Sequence, residues 1–192
     1  MSARKTLAVL LGSGLLLGAA HASAAPSATM LADTCAGCHG TDGSSAGPAT
    51  PTIAGMSAEY FKTTMAEYKK DARKATIMNR IAKGYSDEEI ALMGDHFAAQ
   101  KITRVKQDLD AGKVAAGAKL YGPNCEKCHD KSGSLPDDDS GILAGQWLPY
   151  LTYSMADFRA DKREMPKKMR KKVEKLDDSE LEALLQYFAS QQ

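Results

Sequence analysis

Four cysteines stand in two matching frames, Cys35-Ala36-Gly37-Cys38-His39 and Cys125-Glu126-Lys127-Cys128-His129. Two thiols three positions apart, followed at once by an imidazole, support a short list of chemistries. They can ligate zinc, cycle as a dithiol and disulfide, form structural bridges, or hold a haem. In the last case the thiols add to the two haem vinyl groups and the histidine sits under the iron. Zinc accounts for Cys and His donors but not for a histidine in the same place after both pairs. A bridge inside a C-x-x-C pair is a redox motif more than a staple. Two copies of C-x-x-C-H therefore point to two covalently attached haem c groups. Cys35, Cys38, Cys125 and Cys128 are the expected thioether residues, and His39 and His129 the first axial ligands.

The elements that must position these groups also come twice. The motifs are 90 residues apart, and Ile53-Ala54-Gly55 recurs at the same offset as Leu143-Ala144-Gly145. Tyr60, Phe61, Met65 and Tyr68 recur as Tyr150, Leu151, Met155 and Phe158, an i, i+1, i+5, i+8 pattern that predicts one apolar helix face. Further on the offset is 91, so the second half has gained one residue. Ser86 to Ile90 aligns with Asp177 to Leu181, and Phe97-Ala98-Ala99-Gln100 with Phe188-Ala189-Ser190-Gln191. Ser86 with Glu89 reads as a capping box opening a final helix. A duplication that extends this far beyond the motif predicts two copies of one small helical unit.

The repeat also narrows the second axial ligand. A methionine thioether is a soft donor that favours ferrous iron, raises the reduction potential and closes the sixth position. Met78 lies eight residues before the expected cap Ser86, in a loop-like stretch, whereas Met93 falls within the last helix as a core residue. In the second half Met169 lies eight residues before Asp177. Met165 is the alternative, with a following proline but four residues out of register. Met30, Met56, Met65 and Met155 read as core filling, and His96 as a surface side chain.

The expected ends and composition agree with export. Arg4 and Lys5 precede the apolar run Leu7 to Ala20 and the Ala22-Ser23-Ala24 site, a signal-peptide pattern with cleavage near Ala25. The apolar run is too short for a membrane span. Without Arg4 and Lys5 the chain carries 23 basic and 24 acidic residues, which excludes a strongly basic nucleic-acid binder. Only 12 aromatic residues are available, few for two small cores unless a haem completes each one. No G-x-G-x-x-G follows an apolar strand, so no flavin site is expected on this chain.

Several segments are specific enough for a resemblance. CAGCHGTDG at 35–43, TIMNRIAKGYS at 76–86, NCEKCH at 124–129, ILAGQWLPYL at 142–151, DFR at 157–159, KKM at 167–169 and the final FASQQ resemble the dihaem cytochrome subunit of flavocytochrome c sulfide dehydrogenase. Several of these segments are shared with soluble dihaem class I cytochromes. The resemblance implies an all-α fold of two tandem class I cytochrome c domains, each wrapped round one covalent haem c. It implies His39 with Met78 on the first iron and His129 with Met169 on the second. Residues 1–25 are then the signal, 26–101 the first domain, 102–114 a linker and 115–192 the second domain.

By the same resemblance the chain works in electron transport and sulfide oxidation in the periplasm. Its partners would be an FAD-containing sulfide dehydrogenase flavoprotein subunit, as a heterodimer, and a soluble acceptor cytochrome. The chain alone would catalyse no bond chemistry. A freestanding periplasmic dihaem carrier between a membrane complex and a terminal reductase would use the same ligands.

Three features depart from the pattern or stand outside it. A proline carbonyl commonly orients the ligand histidine in class I cytochromes, and Pro48 or Pro51 can do so for His39. The equivalent positions after His129 are Asp138 and Gly141, near the acidic run Asp137-Asp138-Asp139. Lys162 to Lys175 holds eight basic residues against two acidic ones, a charged helix face or a docking surface for an acidic partner. Trp147 is expected near the second haem or a subunit contact.

Overall fold

A computed structural model describes residues 25–191, so nearly all of the expected export signal lies outside the described residues. The described residues contain helices and connecting loops only. None of these helices is long and apolar enough to cross a membrane.

The first half runs α1 (Ala28–Asp33), α2 (Ala36–His39), α3 (Ala58–Lys69), α4 (Met78–Ala82) and α5 (Asp87–Ala98). The second half runs α6 (Ala111–Asn124), α7 (Asp130–Gly133), α8 (Leu148–Arg159), α9 (Lys167–Val173) and α10 (Asp178–Ser190). Helix α6 opens at Ala111, so the last four residues of the segment expected to link the halves are helical.

Local chemistry sets the helix starts. Ser86 accepts from the Glu89 amide while the Glu89 carboxylate accepts from the Ser86 amide. Asp177 and Glu180 form the same reciprocal pair at the start of α10. Each box satisfies two amides that the first helical turn leaves without partners.

The buried residues separate into two cores. Leu31, Ile53, Phe61, Met65, Ile90, Met93 and Phe97 form the first. Tyr121, Leu151, Leu184, Leu185 and Phe188 form the second. The halves are built to one plan. Helices α3 and α8 coincide at an offset of 90, and the C-terminal ends of α4 and α9 coincide at 91. Gly43 and Gly133 each accept from two later amides through one carbonyl, Ile53 and Ala54 in one half, Leu143 and Ala144 in the other. Arg73 and Arg163 still match at 90, so the extra residue lies between Arg163 and Val173, in or just before α9. In the second half α6 crosses α10 at Gly117, where an added Cβ would meet the Ala183 carbonyl oxygen at 2.1 Å. Only glycine permits that approach of two backbones.

The two halves meet across a seam of hydrogen bonds. Buried Gln146 accepts from the Thr52 amide at 2.9 Å and donates to the Thr52 carbonyl at 2.7 Å. Trp147 Nε1 donates to the Ser45 carbonyl at 2.9 Å, and its indole lies flat where a Cβ on Gly47 would stand. Ser57 donates to Asp138. Gln107, in the joining segment, donates to the Gln146 carbonyl and accepts from the Leu148 amide.

Candidate haem-binding sites

Helix α1 delivers the chain to the first motif. Ser27 caps it, accepting from the Met30 amide. The Thr34 hydroxyl donates to the Leu31 carbonyl and lies 2.6 Å from the Tyr85 hydroxyl. Cys35 is half-buried, Cys38 exposed and His39 buried in α2, with the His39 amide donating to the Cys35 carbonyl at 2.9 Å. Burial pushes the Cys35 thiol above its ordinary value.

The His39 ring has one defined partner: Nδ1–H donates to the Pro51 carbonyl at 2.8 Å. Of the two prolines that could take this part, Pro51 has it. With Nδ1 carrying the proton, Nε2 keeps a lone pair for a metal. Burial lowers the His39 imidazole pKa, and the Pro51 bond opposes that shift. Met78 opens α4 and is half-buried, packed with Cys35 against the same core.

The second motif is held differently. Cys125 is half-buried and its thiol is pushed up to about 11, chiefly by burial. Cys128 is exposed. His129 has a non-helical backbone, φ −122° and ψ 68°, where His39 is helical. Among the described residues the His129 ring makes no hydrogen bond, and its pKa is lowered by burial, with Asp137 opposing. Of the two methionines, Met169 is half-buried on α9, while Met165 is 5% exposed in the loop before it. None of the four cysteines is paired in a disulfide, and among the described residues no three His, Cys, Asp or Glu side chains converge into a metal cage. The two motifs therefore do not pool their donors.

These residues fit haem c: each site offers two thiols, the outer one exposed, and an imidazole beside them. The seam adds a further point of fit. Arg73 is buried, and among the described residues the carboxylate within 4.0 Å of it is that of half-exposed Glu67. Arg163 donates to the Tyr60 hydroxyl at 3.1 Å from the other half. Burying a cation without a buried anion is costly, and a haem brings two carboxylates.

Comparison with known proteins gives the same reading. Residues 24–99 match the family model of cytochrome c, and residues 112–188 that of the cbb3-type cytochrome c oxidase subunit III. A cytochrome c4 of Pseudomonas aeruginosa is 31% identical over 160 residues, covering 77% of this chain and 78% of its own. The chain belongs to the dihaem cytochrome c family. The cytochrome subunit of sulfide dehydrogenase from Chlorobaculum tepidum is 47% identical over 68 residues, a match spanning 35% of this chain and 61% of that relative. Reduced cytochrome c4 from Pseudomonas stutzeri has the same fold, with a TM-score of 0.76 and 24% identity over 86% of this chain and 97% of its own. As a dihaem cytochrome, the protein carries a covalent haem c in each of two cytochrome c domains and is an electron carrier.

The structure adds to or corrects several readings. Trp147 reaches across the seam to Ser45 and Gly47. Arg163 leaves the basic run, stacking over Phe158 at 4.1 Å and binding Tyr60. Asp138 is exposed in its loop and also meets the other half through Ser57. Met30 is 65% exposed, so it fills no core. Periodicity reports which face of a helix is apolar; partners some hundred positions away leave no such trace.

Proposed function

We propose that this dihaem cytochrome is the electron-accepting subunit of a sulfide-oxidising flavoprotein complex in the periplasm, passing electrons to a soluble acceptor cytochrome. The observation that carries this is the 47% identity to the cytochrome subunit of sulfide dehydrogenase, together with the motifs at 142–151, 167–169 and the C-terminus. His39 and Met78 hold the first iron, and His129 and Met169 the second. The repeat supports Met169: α4 and α9 end in register at 91 residues, and the caps Ser86 and Asp177 keep that register.

When bound, each haem takes up and gives back one electron at its iron. This chain's residues do the rest. His39 with Met78, and His129 with Met169, would hold the two irons and would leave neither open to a substrate. Buried Leu31, Ile53 and Phe97 exclude water from the first domain, as Leu151, Leu184 and Phe188 do in the second. Helix α9 has no buried residue and carries Lys167, Lys168, Arg170, Lys171 and Lys172. Its α4 counterpart carries Arg80. Lys172 donates to the Pro123 carbonyl, which sets this basic face against the second haem-binding motif. A positive face beside one haem steers a negatively charged partner towards that domain.

The test is purification of the native protein. A flavoprotein in stoichiometric yield, with sulfide reducing both haems, is the expected result. A second reading, a freestanding carrier, is favoured by the cytochrome c4 relative that matches over most of the chain. It predicts a single-subunit protein that sulfide does not reduce without an added donor.

A further inference from the structure

The domains use one pentapeptide but do not hold its histidine in the same way. In the first, the Pro51 carbonyl fixes the His39 ring directly. In the second, Gly141 stands at the Pro51 position and is packed against Tyr60 of the other domain, where a Cβ would meet Tyr60 Cε1 at 2.9 Å. No carbonyl reaches the His129 ring among the described residues. The chain after His129 also turns unusually: Lys131 and Ser132 both have left-handed backbones, with φ 46° and 59°. Non-glycine residues adopt that conformation only where neighbours hold it.

What holds it is Tyr121. This side chain of α6 is buried, and its hydroxyl has two backbone partners. It donates to the His129 carbonyl at 2.7 Å and accepts from the Ser132 amide at 2.8 Å. The Ser132 hydroxyl shares a 2.7 Å hydrogen bond with the Tyr187 hydroxyl, and the Tyr121 and Tyr187 rings lie 5.3 Å apart. Phe188 packs edge-on to both Tyr121 and the His129 imidazole, at 5.9 and 6.2 Å. At the repeat offsets the first domain has Leu31, Asp42 and His96 in place of Tyr121, Ser132 and Tyr187. That brace has no counterpart there.

We propose that Tyr121 is the positioning residue for His129, fixing the second haem ligand through its backbone where Pro51 fixes the first through its ring. This rests on His129 being the axial ligand of the second haem. Orientation of a metal-bound imidazole tunes the metal it holds. Loss of the Tyr121 hydroxyl therefore changes the second haem and leaves the first alone.

The experiment uses the full-length holoprotein with both haems attached, carrying Tyr121→Phe, which keeps the ring and removes the hydroxyl. Redox titration followed by the haem spectra resolves the two couples. The expected result is a shift of about threefold in the ferric–ferrous equilibrium of one couple, ~28 mV at 59 mV per tenfold for one electron, with the other unmoved. The moved couple is identified by His129→Ala, which alters the low-spin signature of that haem. If His129→Ala leaves both haems low-spin, the ligand assignment fails, independently of the brace. Two unmoved couples in a Tyr121→Phe protein of lower thermal stability make Tyr121 a packing residue and overturn the proposal; so do two couples moving equally. Should Tyr121→Phe not retain two haems, Tyr187→Phe decides: a smaller shift in the same couple supports the brace, and unchanged couples overturn it.

Discussion

The first domain holds its histidine by the ring and the second by the main chain, although both start from C-x-x-C-H and end in the same capping box. In the first, a proline carbonyl 12 residues on reaches back to Nδ1. In the second, a tyrosine eight residues earlier in the chain reaches forward to the histidine carbonyl. The surfaces diverge as well, with a short, lightly charged α4 in one domain and a lysine-rich α9 in the other. A duplication leaves two sites built to one plan, and these two have diverged. Here the differences sit around the two histidines and on the exposed faces of α4 and α9, while the helical frame stays constant.

Removing one cofactor breaks the comparison most severely. Replacing Cys125 and Cys128 by alanine should drop the haem content from two to one per chain, read as the pyridine haemochrome. The second domain, without the haem that completes its small core, should then unfold before the first, and a calorimetric scan should show two transitions in place of one. The axial thioethers come next. Met78→Ala and Met169→Ala should each remove the methionine–iron charge-transfer band from one haem, and Met165→Ala should leave both bands. Loss of the band in Met165→Ala, with Met169→Ala unchanged, would move the ligand four residues and break the 91-residue register.

A smaller effect tests whether the domains act together. Gln146→Ala leaves the buried Thr52 amide and carbonyl without partners, costing about 2–4 kcal/mol, measured by denaturant unfolding. Domain 1 should lose as much stability as domain 2, because each end of the pair belongs to one of them. The smallest effect concerns charge. Lys167, Lys168 and Lys171 changed to glutamate should slow reduction of the second haem by an anionic reductant about tenfold at low salt. The difference should fade as salt rises. Arg80→Glu on α4 should change the rate far less.

Much of this was legible in the chain itself, because it is written locally. The motif, the capping boxes at Ser86 and Asp177, and the apolar spacing of α3 and α8 each depend on residues within a few turns of one another. The 90-residue repeat then extends one half's reading to the other. What escaped depends on distant partners. Nothing near Trp147 tells that its indole lies on Gly47, and nothing near Arg163 tells that it turns inward to Tyr60. Pro48 and Pro51 differ only in where the loop puts their carbonyls. Tyr121 is masked by the repeat: its counterpart is Leu31, so it reads as another core position. A polar residue where the sister domain has an apolar one was the available signal.

The seam has a hydrodynamic consequence. Gln146, Trp147, Arg163 and Gln107 bind both domains and the segment joining them, so the two units tumble as one body. Amide relaxation should return a single rotational correlation time for residues of both halves. Transfer between the haems then crosses a fixed gap and waits for no domain motion, so its rate should be indifferent to added glycerol. Exchange with a diffusing partner, by contrast, should slow as the solvent thickens.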